Sequence, residues 1–344
     1  VTRAPRAKLS QNRRVRELAT SCVQWDRPAA IACSGGVDST ALLVLSAAAR
    51  ERVPPFVVVY VDHVTRPDTA AEGRRVALLC ADLELPCVRT SVVAEWAEGE
   101  HVAEHRLRQA RLDALGRVVA GLGLDAAVTA HTLDDQVETV LMRILGGASP
   151  IGASGMQPDV TITTASGPLR VLRPLLGIAR EELVAVLDAA GVVPSIDPSN
   201  ADLRYRRNRL RQEIVPALAR AFPGFPITLL RSVALARLDA EVVDAVAADV
   251  FDRIARTTDG GLAIDRADLR SAPRAVAARV VIAAALQTST TMGSDSRDLT
   301  AERISAVVDA ARGRTGALIQ LPYGVDVRVE RDVLLFVARG PGAE

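Results

Sequence analysis

Short apolar runs and longer amphipathic stretches alternate through the first half of the chain. Ala29–Cys33 reads as a buried strand, Thr40–Arg52 as a helix and Phe56–Val61 as a second strand. Ala70–Leu83 has helical periodicity, Cys87–Val93 is strand-like, His101–Leu122 is a long helix and Ala126–Ala130 a further strand. Strands that are apolar at every position need cover on both faces. Repeated βα alternation of this kind therefore predicts an α/β domain built on a doubly wound parallel sheet. After Gly146 the texture changes. Gly146–Pro158 is rich in Gly, Ala, Ser and Pro and reads as an irregular loop, followed by a short helix at Arg180–Gly191 and turn-rich Pro194–Asn200. Ala201–Arg220 is a basic helical stretch, and the paired prolines of Pro223-Gly-Phe-Pro226 stop it. Helices then follow at Ile227–Ala255, Ala275–Gln287 and Ala301–Ala311, with hairpin strands at Ala317–Leu321 and Val325–Ala338 around Pro322-Tyr-Gly324. The expected organisation is an α/β domain over residues 1–222, including a basic linker helix, and a smaller, mainly helical domain over 223–344 that ends in a β-hairpin.

Composition narrows the function classes. With 344 residues, 49% of them apolar, the chain can bury two cores. Aromatics make up only 3%, which argues against stacking platforms for long single-stranded nucleic acid. A formal net charge of +1 leaves room for a local basic patch but not for indiscriminate nucleic-acid binding. No apolar run has the length of a membrane span, so the expectation is a cytoplasmic protein without membrane contact. The four cysteines, Cys22, Cys33, Cys80 and Cys87, form no Cys-x-x-Cys pair and read as reduced, packed thiols. Lys8 is the only lysine, so a Walker-type Gly-Lys-Ser/Thr loop cannot exist here, and arginine or a metal ion must supply positive charge beside phosphate.

In doubly wound sheets, ligands bind beyond the C-terminal ends of the strands. Three conspicuous sequences fall there: Ser34-Gly35-Gly36-Val37-Asp38-Ser39, Asp62-His63 and His131–Glu138. In the first, adjacent glycines let backbone approach a ligand closely, and the N–H groups of the turn and first helical turn point at an anion. Ser34 and Ser39 add hydroxyls, whereas Asp38 beside phosphate calls for an intervening cation. A plain strand-to-helix turn capped by Ser39 or Asp38 would use the same residue types. In the third, Asp134 and Glu138 lie one helical turn apart, with Asp135 about 100° away by the helical repeat. Thr132 and Asp135 also fit a capping pair. Carboxylates do not bind phosphate directly, so this set points to Mg²⁺ or to a cationic substrate.

The hexapeptide resembles the PP-loop of ATP pyrophosphatases, which split ATP between its α- and β-phosphates and adenylate a substrate. From about Ala29 to the end, the chain further resembles the tRNA(Ile)-lysidine synthetase family. The shared marks are Ser34–Ser39, Val61-Asp62-His63 with Arg66, Ala130–Glu138, Gly155-Met156, Leu172-Arg-Pro-Leu-Leu176, Asp197-Pro-Ser-Asn200 and Arg206-Arg-Asn-Arg-Leu-Arg211. Leu112 and Gly146-Gly147 depart from the pattern, where the family commonly has an aromatic residue and an Arg-Gly pair.

That resemblance implies a ligase. ATP would adenylate O2 of the wobble cytidine in an isoleucine tRNA with a CAU anticodon, and free L-lysine would then attack C2 and expel AMP. It also implies roles for individual residues. Ser34, Gly35, Gly36, Val37, Asp38 and Ser39, with His63 and His131, would bind nucleotide, and Asp38 would hold Mg²⁺ through the phosphates. Asp38, Asp134, Asp135 and Glu138 would be catalytic, the last three receiving the lysine ammonium. Arg106, Arg108 and Arg111 lie in one helical stretch, and Arg204, Arg206, Arg207, Arg209 and Arg211 form a block without an acid. Such blocks suit RNA phosphate, although most charge runs are solvated helix faces. A homodimer is compatible with the resemblance. The alternatives are another PP-loop adenylating enzyme (a tRNA thiolase or a small-molecule ligase) and a non-catalytic RNA-binding protein.

Overall fold

The computed structural model describes residues 12–62, 69–92, 104–147, 155–195, 203–289 and 299–339. The chain divides into two compact units, Val1–Glu138 with Met156–Ala221, and Thr139–Gly155 with Phe222–Glu344.

The first unit is built on six strands: β1 (Ala29–Ala32), β2 (Phe56–Asp62), β3 (Cys87–Ser91), β4 (Ala126–Val128), β5 (Asp159–Thr164) and β6 (Gly167–Leu172). Their order is β3-β2-β1-β4-β6-β5. All neighbours run parallel except β5, which pairs antiparallel with β6 at the edge. The parallel core was legible as apolar runs. The β5–β6 hairpin was not, because β5 alternates exposed and covered positions at a sheet edge.

Period-two geometry sends successive residues of one strand to opposite faces. Ala29, Ile31, Val58 and Tyr60 pack on one side. They meet α1 (Arg13–Cys22), α2 (Val37–Ala49), α3 (Thr69–Asp82) and α6 (Arg180–Ala190). Ala30, Val59 and Ala127 pack on the other side, under Leu115 and Val119 of α4 (Glu104–Gly121). The sheet is therefore doubly wound, as the alternation predicts. Helix α1, which the hydrophobic pattern did not reveal, is anchored by Val15 and Ala19 and begins with Asn12 accepting from the Val15 N–H.

Helix α5 spans Leu133–Leu145. The basic stretch is a short helix, α7 (Arg206–Arg209), that widens into a π-helical turn at Leu210–Ile214 and continues as α8 (Val215–Ala221). Widened turns of this kind recur at functional sites.

The second unit contains α9 (Phe225–Ile254), α10 (Arg266–Ser271), α11 (Arg274–Thr288) and α12 (Ala301–Ala310). Its sheet has the order β7-β8-β11-β10-β9 and is antiparallel throughout. The strands are β7 (Ala255–Thr258), β8 (Gly261–Asp265), β9 (Leu318–Leu321), β10 (Val325–Val329) and β11 (Val333–Ala338). The expected terminal hairpin is part of this larger sheet. Val325, Val327 and Val329 face a core shared with Val280, Ile304 and Phe336. Arg266 is buried beside them and donates to the carbonyls of Ala311 (3.2 Å), Gly313 (2.7 Å) and Glu330. Among the described residues no single helix is long and apolar enough to cross a membrane.

Candidate active site

Strand β1 has β2 on one side and β4 on the other, so β1 and β4 meet at a topological switch point, the place beyond whose strand ends doubly wound sheets bind ligands. The two chemical motifs follow these two strands. After β1 the chain turns through Gly35, whose φ of +85° is the left-handed region that favours glycine. A Cβ there would lie 3.3 Å from Val76 Cγ2 and 3.4 Å from Ser195 Oγ. The Ser195 N–H donates to the Gly35 carbonyl at 2.8 Å, and Arg75 Nε donates to Ser195 Oγ at 3.1 Å.

Ser39 braces the loop from inside. Its Oγ accepts from the Ser34 N–H at 3.2 Å, donates to the Gly36 carbonyl at 3.2 Å and lies 3.1 Å from Ser34 Oγ. Gly36 occupies the N-cap of α2, and no side chain caps the helix. The leading N–H groups of a largely buried helix are thus left for an anion.

Asp38 lies in the first turn of α2. Burial pushes its carboxyl up to about 6; Arg180 opposes this, Asp135 and Asp134 add to it, and Arg211 opposes it. Arg180 Nη1 donates to Asp38 Oδ2 at 3.1 Å, while Asp38 Oδ1 is buried without a hydrogen-bond partner. The Arg180 backbone N–H donates to Asp134 Oδ2 at 2.8 Å. One residue, at the start of α6, therefore ties the glycine loop to the acidic helix. Nothing in the sequence around Arg180 signals this role, because its partners lie 142 and 46 positions away.

The acidic helix is capped as its sequence suggested. Asp135 Oδ2 accepts from the Thr132 N–H (2.9 Å) and hydroxyl (3.1 Å). Asp135 Oδ1 accepts from Arg207 Nη2 and Arg211 Nη2, each at 3.0 Å. Glu138, 2% exposed, accepts from Arg207 Nε at 2.9 Å, from Arg211 Nη2 at 3.0 Å and from Arg211 Nε. Burial alone would raise the Asp135 carboxyl. The Thr132 N–H and the charges of Arg207 and Arg211 outweigh it and hold the group below the ordinary aspartate value. Two residues of the arginine block are thus ion-paired to Asp135 and Glu138, with about a third of each arginine side chain still exposed. Arg204, Arg206 and Arg209 are exposed, Arg209 lying 4.0 Å from Glu213.

His131 Nδ1 lies 2.9 Å from Thr129 Oγ1. Burial, followed by the charge of Arg108, pushes the imidazole down to about 3, so the ring is neutral at physiological pH. Arg173, also beside it in charge terms, is buried; burial and Arg108 lower its guanidinium to about 10, and its Nη1 donates to the Gln157 carbonyl at 2.6 Å. Gln136 clamps Met156 by a reciprocal pair of bonds: Nε2 donates to the Met156 carbonyl at 2.8 Å, and the Met156 N–H donates to Oε1 at 2.6 Å. Arg106, Arg108 and Arg111 are exposed on α4. His63, Arg66, Lys8 and Asp197–Asn200 lie outside the described residues.

Residues 8–218 match the family model of the PP-loop domain, an ATP-binding fold. The tRNA(Ile)-lysidine synthase of Salinispora tropica is 34% identical over 336 residues, 92% of each chain. The chain belongs to the tRNA(Ile)-lysidine synthase family. The Methylobacterium nodulans member is 36% identical over 335 residues, covering 90% of this chain and 93% of its own. Members of the lysidine synthase family thus align across both units, not the ATP-binding one alone. A U34-tRNA thiolase from Methanococcus maripaludis shares the fold, with a TM-score of 0.51, 14% identity and coverage of 66% of this chain and 80% of the thiolase.

Proposed function

We propose that this chain joins free lysine to the wobble cytidine of an isoleucine tRNA, with the glycine loop and the acidic helix as two halves of one active site. The observation that carries the reading is Arg180, whose guanidinium holds Asp38 and whose N–H holds Asp134. Within the family, ATP supplies the adenylate. The N–H groups of Gly36, Val37 and Asp38, with the hydroxyls of Ser34 and Ser39, cradle the phosphates. Among the described residues no group of three or more His, Cys, Asp or Glu could hold a metal ion by itself. A Mg²⁺ ion would therefore be shared between Asp38 and the nucleotide, and the unpartnered Asp38 Oδ1 fits one such bond. When bound, the ion would neutralise charge on the departing pyrophosphate.

Chemically, cytosine O2 attacks the α-phosphorus and the bond to pyrophosphate breaks. The lysine ε-nitrogen then attacks C2, the C2–O bond to AMP breaks and the nitrogen loses its proton. A lysine ammonium has a reference pKa of about 10.4, so the site must both hold the cation and take its proton. Asp134, Asp135 and Glu138 provide the negative charge. An anticodon loop presents its bases unstacked, so one cytosine can reach the site without melting a duplex. Exposed Arg204, Arg206 and Arg209, with Arg106, Arg108 and Arg111, supply phosphate contacts.

The test is pyrophosphate release from ATP with Mg²⁺ and a CAU-anticodon isoleucine tRNA, with and without labelled lysine. Lysine-dependent AMP formation with label retained on the tRNA is expected. Release without retained label would replace lysine by another nucleophile.

A further inference from the structure

Two of the four cysteines stand together, apart from the glycine loop and the acidic helix. Cys80 lies in the last turn of α3, and Cys87 opens β3. The segment between them is pinned at both ends. The Leu85 N–H donates to the Cys80 carbonyl at 2.9 Å, and the Val58 N–H donates to the Pro86 carbonyl at 2.9 Å. Alternate residues of a strand share a face, so Cys87 and Arg89 point the same way. Arg89 reaches α3, where its Nε lies 2.9 Å from the place of a Cβ at Gly73. Cys87 meets the same helix farther along, and its sulfur accepts a hydrogen bond from the Cys80 thiol.

Their surroundings give the two thiols different parts. Cys80 is 1% exposed, whereas Cys87 is half-buried on the edge strand of the sheet. The bond from Cys80, helped by the charge of Arg89, holds the Cys87 thiol below the ordinary cysteine value against the effect of burial. Burial pushes Cys22 and Cys33 the other way, each up to about 11. A partly open, acidic thiol beside a buried second thiol is the arrangement that peroxides oxidise reversibly. Helix α3 also reaches the nucleotide loop. Val76, one helical turn before Cys80 on the same face, has a methyl 3.3 Å from where a Gly35 Cβ would stand.

We propose that Cys80 and Cys87 are a peroxide-sensitive pair whose disulfide shifts α3 behind the glycine loop and weakens ATP binding. The Cys87 thiolate attacks one oxygen of hydrogen peroxide, the O–O bond breaks, and hydroxide leaves a sulfenic acid on Cys87. The Cys80 sulfur then attacks the Cys87 sulfur. The S–O bond breaks, and the departing hydroxide takes the Cys80 proton to form water. In all, two thiols lose two electrons and two protons, and one peroxide becomes two waters. Closing the bond brings the sulfurs to about 2.05 Å, shorter than any hydrogen-bonded contact. That moves the end of α3 toward β3 and disturbs the Val76 packing against Gly35. The pair goes beyond the lysidine reading and requires only that the loop binds ATP.

Peptide mapping of the full-length wild-type protein after hydrogen peroxide, with free thiols alkylated, tests the pair directly. A Cys80–Cys87 disulfide that dithiothreitol reverses is expected, with Cys22 and Cys33 still alkylated. Cys80 and Cys87 alkylated as fully as Cys22 would overturn the proposal, as would irreversible oxidation of Cys87 without a disulfide. Calorimetric titration with ATP and Mg²⁺ should show about tenfold weaker binding by the oxidised protein, restored by dithiothreitol. A disulfide that leaves ATP affinity unchanged would sink the switch. Cys87→Ser should bind ATP like the reduced wild type with or without peroxide. An equal loss in that variant would place the damage on another residue and remove the pair. In Cys80→Ala the Cys87 sulfenic acid has no thiol to meet and should be trapped by dimedone. If either variant fails to fold, the wild-type map and titration still decide. Labelled lysine that is never retained on tRNA in a complete reaction would remove the lysidine reading and leave these outcomes untouched.

Discussion

Asp38 combines a conspicuous sequence position with an environment that only packing creates. A carboxyl moved from 3.8 to about 6 costs the folded chain up to about 3 kcal/mol once it is ionised. The sign follows from linkage. Stability contributed by a raised aspartate is present below its unfolded value and is lost as pH rises through 6. Asp38→Asn should therefore melt higher than wild type at pH 8, lose that advantage at pH 4, and release pyrophosphate at least about 100-fold more slowly through loss of preorganised charge. Calorimetry at the two pH values, with a pyrophosphate assay, checks all three. Wild-type activity should also fall as pH drops through about 6, unless Mg²⁺ keeps the carboxylate ionised. Gly35 makes a separate claim. Its φ of +85°, and a Val76 methyl 3.3 Å from where a Cβ would stand, make Gly35→Ala strained by about 1–2 kcal/mol. The loop should distort and ATP affinity should fall by an order of magnitude or more, measurable by calorimetric titration.

At the scale of the element, α5 shows how one helix can serve two functions. Thr132 and Asp135 form the capping pair that the sequence suggested, and the same Asp135 meets two arginines through its second oxygen. Thr132→Val removes the hydroxyl bond while preserving shape. It should cost about 1 kcal/mol in stability and free Asp135 to rotate, lowering lysine incorporation more than ATP binding. Thermal unfolding read beside both activities separates the two effects. The arginine block shows the opposite relation between sequence and structure. Five arginines without an acid read as a phosphate-binding face, yet Arg207 and Arg211 are paired with buried acids. Their acids lie 69 to 76 positions away, beyond what any local charge pattern can show.

For the molecule as a whole, two cores divide the labour. Buried Arg266 donates to carbonyls at the end of α12 and in the segments after it and before β11. Arg266→Met would leave several buried acceptors unsatisfied, at about 3 kcal/mol in total. Amides of β8, β10 and β11 should then exchange with deuterium faster, while those of β1 and β4, which belong to the other core, keep their protection. Uniform loss of protection across both sheets would show instead that the two units unfold as one.

The apolar alternation by itself determined the doubly wound sheet, because a strand buried on both faces must carry side chains that nothing but a core accepts. It also determined the glycine loop and the acidic helix, whose chemistry is carried by adjacent residues. The strand order that sets both motifs at one switch point was decided by tertiary structure, since pairing partners are chosen across the sheet rather than along the chain. So were the bridge made by Arg180, the neutral state of His131 and the arginines seated on Asp135 and Glu138. Each of these depends on which distant groups are brought together away from water, where a charge is stable only beside its partner.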